Sequence, residues 1–281
     1  MNARTTITPR YPTFHLKDIE PRWSRNGEMA HSYNAAAMVP CQIEPYLVRV
    51  MLKALPLISA ERPELREDVE TFNKQEVEHA KQHIAFYKIL REKGYPRLAE
   101  FDKQLATDYK RFLEAKSLQF NIAYSEGFEA MGSAGAETFF QVLPLLERGA
   151  DQRAVDLWKW HLAEEFEHRR VCFDLYKALY GGGLFRGYFY RCYGFVYAYL
   201  HLTRYMNRIA DYMIGKDRES MTAEQVEKSK ARLKTYRRNL LKSNLKQALA
   251  VFSPFYNPSK KTAPVPMAEY LRSISAWERP A

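Results

Sequence analysis

Cysteine is scarce: the chain has three in 281 residues, Cys41, Cys172 and Cys192, widely separated. That excludes a disulfide scaffold and any CxxC metal or redox motif, and it suits a reducing compartment. Val/Ile-rich stretches with strict alternation are also missing, which argues against a sheet. The opening "MNARTTITPRYPTFHLKDIEPRW" has no apolar run after its charges, so a secretory leader is not expected. The greasiest segment, "LFRGYFYRCYGFVYAYLHLTRYMNRIADYMI", is interrupted by Arg186, Arg191, Arg204 and Arg208. Guanidinium groups are costly in hydrocarbon, so no membrane span is expected. A Gly-rich phosphate loop, a nucleophile elbow and an internal repeat of fixed period are absent too.

Acidic residues are what the late part lacks. Between Glu227 and Lys261 stand Lys228, Lys230, Arg232, Lys234, Arg237, Arg238, Lys242, Lys246 and Lys260, which carry much of the formal net charge of +10. Such a face suits an anionic carrier, a membrane surface or nucleic acid, and a solvated helix face explains it as readily. No nucleic-acid motif accompanies it, so nucleic acid is not favoured. The expected location is cytoplasmic, with peripheral membrane association left open.

What is present is helical periodicity in a composition of 46% hydrophobic and 27% charged residues, that of an ordinary globular domain. A first helix, started or broken by Pro40 and Pro45, is expected to run to about Leu57, its main part beginning beside Glu44. A second starts near Pro63 and stops at Gly94, and a third region from about Arg97 to Arg148 is weakened as an unbroken helix by its glycines. A fourth opens on an Asp151 cap and runs to the triple glycine Gly181–Gly183. An aromatic helix over 184–214, a basic helix opened by "TAEQ" at Thr222, and a Pro-interrupted tail follow.

The chemistry concentrates in the fourth helix, in "WKWHLAEEFEHRRVCFDLY". At about 100° per residue, His161, Glu165 and His168 share a narrow arc. The second helix carries "QEVEHAKQH", whose Glu76 and His79 form an ExxH pair like Glu165 and His168. One ExxH pair is usually an exposed polar patch. Two on separate long helices, with a carboxylate from each of two others, is how a four-helix bundle holds two divalent metals. The first helix offers Glu44, and the third offers Glu126 or Glu129, which helical geometry does not separate. About four carboxylate charges would cancel two divalent cations, the histidines ligating as neutral imidazoles. His83 and Glu164 are expected beside the ligands, while Glu78 and Glu167 fall at the edge of the arc or off it. "HLAEE" fits neither zinc-protease pattern.

These motifs resemble those of a bacterial family described as predicted metal-dependent hydrolases. "WHLAEEFEHRRVCFDLY" is similar to its WHxxEExEHxxVxFD stretch, "FNKQEVEHAKQH" to its second motif, "IAYSEGFEAM" to its third, and "SPFYNP" to its C-terminal segment, over about residues 20–260. The ligand pattern also resembles ferritin-like di-iron oxygenases, and His161, four residues before an ExxH, the extra histidine of the p-aminobenzoate N-oxygenase type. The resemblance implies Glu44, Glu76, His79, Glu126, His161, Glu165 and His168 as ligands; Glu129, His83 and Glu164 are expected around them. Where the family usually has a glycine between proline and glutamate, this chain has Cys41, Gln42 and Ile43 between Pro40 and Glu44.

The fold class expected is all-α, a ferritin-like four-helix bundle with two additional C-terminal helices. Residues 1–28 form an irregular arm, 29–214 the bundle with its dimetal site and aromatic helix, and 215–281 the basic helix and tail, packed on the same domain. The function expected is a di-iron oxygenase, with two iron ions (or manganese or zinc) and dioxygen as co-substrate, that hydroxylates, N-oxygenates or desaturates a small apolar organic substrate with electrons from an external donor. A metal-dependent hydrolase and a non-catalytic metal-binding scaffold are the alternatives. The aromatic helix, with Tyr188, Phe189, Tyr190, Tyr193, Phe195, Tyr197 and Tyr199, is expected to pack as core or homodimer interface before it lines a pocket.

Overall fold

Helix starts fall where a short polar side chain or a proline can stand at an end that has no intrahelical acceptor. Asn26 accepts from the Met29 amide and opens α1 (Gly27–Ala37). Pro40 and Pro63 occupy the first turns of α2 (Pro40–Ala54) and α3 (Pro63–Glu92). After α4 (Leu98–Ala115), the hydroxyl of Ser117 caps α5 (Leu118–Leu146), and Asp151 caps α6 (Gln152–His168). α7 (Val171–Tyr180) and α8 (Tyr190–Arg218) follow. A reciprocal Thr222–Gln225 capping box opens α9 (Ala223–Val251), and α10 (Val265–Ser273) ends the series. The computed structural model describes residues 7–277, and no strand occurs among them. Residues 1–6 of the expected arm and 278–281 of the expected tail lie outside the described residues.

The architecture is the all-α, ferritin-like bundle. α2 runs along α3, and α5 along α6 and α7; α3 against α6 and α7, and α2 against α5, close the square. α8 covers α5, α1 packs on α8, α4 fills the corner between α2, α5 and α8, and α9 rests on α1 and α5. Rings of Phe72, Phe86, Phe120, Phe139, Phe140 and Trp160 are fully buried inside. Each contributes about 2–3 kcal/mol of hydrophobic stabilisation. Among the described residues, no helix is long and apolar enough to cross a membrane.

Three expectations about helix limits change. α2 starts a turn earlier than expected, at Pro40, so Pro45 lies inside it and Glu44 is fully helical. The glycines of α5 do not break it; Gly127 of α5 and Gly194 of α8 stand where the two helices approach too closely for side chains. A Cβ on Gly194 would stand 2.6 Å from the Ala123 carbonyl carbon, and one on Gly127 2.7 Å from the Phe195 Cα. The fourth helix is divided at Arg169–Arg170 into α6 and α7. Arg169 turns in to donate to the carbonyls of Phe166, Pro258 (2.9 Å) and Lys261 (2.9 Å), while Arg170 pairs with Asp68 at 2.6 Å.

Residues 7–26 are irregular and lie against the bundle. The Asp151 amide donates to the Trp23 carbonyl at 2.7 Å, Gln82 donates to the Pro12 carbonyl at 3.0 Å, and the Tyr11 amide to the Trp277 carbonyl at 3.0 Å. This arm brings Arg10 into the interior, where it is almost fully buried.

Candidate metal centre

Period and phase place the donors. Glu76 and His79 on α3, and His161, Glu165 and His168 on α6, all point inward and are buried, as are Glu44 of α2 and Glu129 of α5. Their ligand atoms fall into two sets, Glu44, His79, His161 and Glu165, and Glu76, Glu129, Glu165 and His168. Within each set the atoms lie within 4.8 Å of one another. Glu165 belongs to both. Its Oε1 stands 3.9 Å from His79 Nδ1, 3.5 Å from His161 Nε2 and 3.6 Å from His168 Nε2. Glu76 also reaches both sides, 4.0 Å from His79 Nδ1 and 3.3 Å from His168 Nε2.

A second layer of contacts fixes the imidazoles. His79 meets Glu164 through Nε2 at 3.0 Å, which leaves Nδ1 facing the centre. His168 meets the Gln75 amide oxygen through Nδ1 at 3.0 Å, which leaves Nε2 facing it. His161 Nδ1 lies 3.1 Å from His83 Nε2, so its own Nε2 turns toward Glu165. Such outer partners set the tautomer and orientation of ligating histidines. Arg10 anchors this layer, donating to Glu164 at 3.0 Å and to both oxygens of Glu167 at 2.8 and 3.0 Å.

The donor atoms themselves are orphaned. Both carboxylate oxygens of Glu44, Glu76, Glu129 and Glu165, with His79 Nδ1 and His168 Nε2, are buried and have no hydrogen-bond partner. Buried carboxylates without compensation are strongly unfavourable, and here four converge. Burial first, then the charges of Glu76 and Glu165, push the Glu44 carboxyl well above its ordinary range; burial likewise lifts Glu76 and takes Glu129 up to about 7. Burial holds His79 down at about 3 and His161 well below its usual range, so both are neutral imidazoles. For His168 burial also opposes the charge, but Glu129 and Glu165 outweigh it and raise the group. Two divalent cations would match four carboxylates and accept these lone pairs, so the residues present fit a metal pair. A mixed oxygen and nitrogen set without thiolate suits iron or manganese, and zinc can also occupy it.

The structure brings together every residue expected as a ligand except one. Glu126 belongs to neither donor set; its Oε1 accepts from Arg191 Nη1 at 3.0 Å, and Glu129, one turn on, takes the central place. The difference comes from α8, which engages Oε1 of Glu126 and leaves its Oε2 buried without a hydrogen-bond partner. Glu126 and Glu129 sit only about 60° apart on α5, and Arg191, packed over the rings of Phe173, Tyr188 and Tyr256, draws the first away. Glu129, expected beside the ligands, is therefore among the donors, whereas His83 and Glu164 stand in the second layer. Arg10, Gln75 and Arg191 escaped the sequence reading. Gln75, next to Glu76, was the one with a positional signal.

Beside this centre lies a cavity of about 280 Å³, touched by His161 and Glu165 and walled by residues such as Phe128, Met131, Phe195, Leu202 and Val251. Gly132 on its wall admits the Glu165 carboxylate, for a Cβ there would stand 2.2 Å from Oε2. The aromatic helix thus does line a pocket, through Phe195 and Tyr199.

With this geometry in place, the family model described as "Predicted metal-dependent hydrolase" matches residues 8–262. Comparison with curated proteins and with solved structures gave no match.

Proposed function

The chain belongs to the predicted metal-dependent hydrolase family, and from the geometry of its buried donors we propose that it is a dimetal enzyme, specifically a di-iron oxygenase acting on an apolar organic substrate. The observation that carries this reading is the pair of orphaned donor sets joined by Glu165 and opening, through His161 and Glu165, on an apolar cavity. Glu44, His79 and His161 would hold one ion and Glu76, Glu129 and His168 the other, with Glu165 belonging to both donor sets. Bound ferrous ions would supply electrons for the reduction of dioxygen, restored by an external donor.

The chain's own groups do the rest. Glu164 and Gln75 keep the lone pairs of His79 and His168 aimed inward. Arg10 keeps Glu164 and Glu167 compensated in a dry environment. The cavity wall excludes water and holds an apolar group beside His161. Among the described residues, Arg237 is the one cation lining the cavity, and it is paired with Asp211 at 2.6 Å. The wall carries polar side chains such as Ser32, Thr138, Thr203 and Asn207, yet its surface is mostly apolar, which suits an apolar group under oxidation better than the developing anion of ester or phosphate hydrolysis.

The family description favours a second reading, in which the metal pair activates water for hydrolysis. One experiment separates them. Anaerobic protein is loaded with ferrous iron, oxygen is admitted, and the visible spectrum is followed alongside metal stoichiometry. Two irons per chain and an oxygen-dependent transient absorption support the oxygenase. A silent spectrum with ester or phosphoester cleavage by the zinc or manganese form supports the hydrolase, and silence in both leaves a metal-binding scaffold.

A further inference from the structure

α9 is apolar on two opposite sides. One side lines the cavity, with Tyr236, Leu240 and Val251. The other faces solvent: Leu241, Leu245 and Leu249 follow one another at intervals of four and are 60%, 57% and 62% exposed. At about 100° per residue, Lys234, Arg238 and Lys242 fall within the same arc, about 100° wide, as these leucines. All three cations are exposed, and none has an ion-pair partner among the described residues, unlike Lys228, Lys230, Arg232 and Arg237 of the same helix, which all do. The C-terminal end of α9 is flanked by further bare rings, Phe255 at 87% and Phe185 at 77% exposure. The Tyr188 hydroxyl, donating to the Phe252 carbonyl, ties the two segments together.

From this face we infer that the outer side of α9, with Phe185 and Phe255, docks on the surface of an anionic lipid bilayer. Three successive leucines that none of the described elements covers carry an unfavourable exposure that a lipid interface relieves. The unpaired cations beside them match acidic headgroups, and no acidic residue stands between Glu227 and Glu269 to oppose that attraction. Nucleic acid would satisfy the cations and leave the leucines in water. A second copy would cover the leucines but bring another net charge of +10 against the first. The inference does not depend on which reaction the metal centre supports, although a bilayer at this face would lie just across α9 from the cavity.

The test is co-sedimentation of the full chain with phosphatidylcholine vesicles made with and without phosphatidylglycerol, over a salt series. The parent protein is expected to sediment with the anionic vesicles at low salt and to be released as salt rises. Arg238→Gln/Lys242→Gln should weaken binding by about tenfold or more, at roughly fivefold per surface charge. Leu241→Ser/Leu245→Ser/Leu249→Ser should abolish it. Both variants change exposed side chains, and circular dichroism with metal content checks that each remains folded. Absence of binding to anionic vesicles overturns the inference, as does binding that neither folded variant alters. A leucine variant that changes only the sedimentation coefficient of vesicle-free protein overturns it in favour of self-association.

Discussion

Arg191 of α8 donates from Nη1 to Glu126 Oε1 at 3.0 Å, inside the protein, and that pairing leaves Glu129 as the carboxylate α5 offers to the centre. The two glutamates should therefore respond in opposite ways to the same change. Glu129→Gln removes a donor from the set with Glu76 and His168, and is expected to lower metal content from two ions per chain toward one. Glu126→Gln should keep both ions but strip a buried guanidinium of its counter-charge, at a cost of about 3 kcal/mol. Metal analysis after dialysis and thermal melts of the two variants check this. Equal metal loss in both would return Glu126 to the ligand set.

Arg10 acts on the centre from the arm. Its guanidinium compensates Glu164 and Glu167, and Glu164 in turn orients His79. Arg10→Met leaves two buried carboxylates unpaired, so it should destabilise the fold by about 3–5 kcal/mol and weaken metal binding about 10- to 100-fold through the misoriented imidazole. Arg10→Lys restores the charge but not the two-pronged grip, and is expected to recover stability only in part. Denaturant melts and competitive metal titrations measure the two effects separately.

Stability of the metal-free protein should fall as pH rises above about 6.5. Glu129 is raised by burial to about 7, so its stabilising contribution is present below its unfolded value and lost as pH rises through about 7. Glu44, Glu76 and His168 are raised as well, and their contributions fade in the same direction at higher pH. His79 and His161 are depressed, so their contributions are present above the ordinary histidine range and fade as pH falls toward about 3 for His79. Below about 6.5 the two groups oppose each other; above it only the raised groups still titrate, at about 1.4 kcal/mol per pH unit for each proton. Calorimetry from pH 6.5 to 8.5, values chosen to bracket that range, should show a falling melting temperature without metal and little change with it. A flat metal-free profile would show that the carboxylates are not held together as described.

The helical repeat made most of this site readable. His161, Glu165 and His168 share an arc because helix geometry leaves no alternative, and the same holds for Glu76 with His79. Glu44 kept its inward position although the residues before it depart from the related pattern. What escaped reading depends on contacts remote in sequence. The break between α6 and α7 follows no glycine or proline; it is set by Arg169 reaching Pro258 and Lys261, and by Arg170 reaching Asp68. Arg10 sits in a stretch with no periodicity, so nothing local marked it as buried. Glu126 and Glu129 have nearly the same helical phase, and only the arrival of Arg191 from α8 distinguishes them.

Gly132 separates folding from metal binding in a single substitution. Its missing side chain leaves room for the Glu165 carboxylate, since a Cβ there would lie 2.2 Å from Oε2 and 3.1 Å from Cδ. The atom in the way is the far end of a flexible side chain, so in metal-free Gly132→Ala the carboxylate can swing aside with the helix unchanged. Alanine is also the better helix former by about 1 kcal/mol. The variant should therefore be as stable as the parent, or slightly more so, when metal is absent. Glu165 is the donor common to both sets, and displacing it should weaken both ions together. The rise in melting temperature on adding metal, which follows the binding constant and ligand concentration, should shrink or vanish. A variant whose metal-dependent rise equals the parent's would show that Glu165 does not need the position it holds beside Gly132.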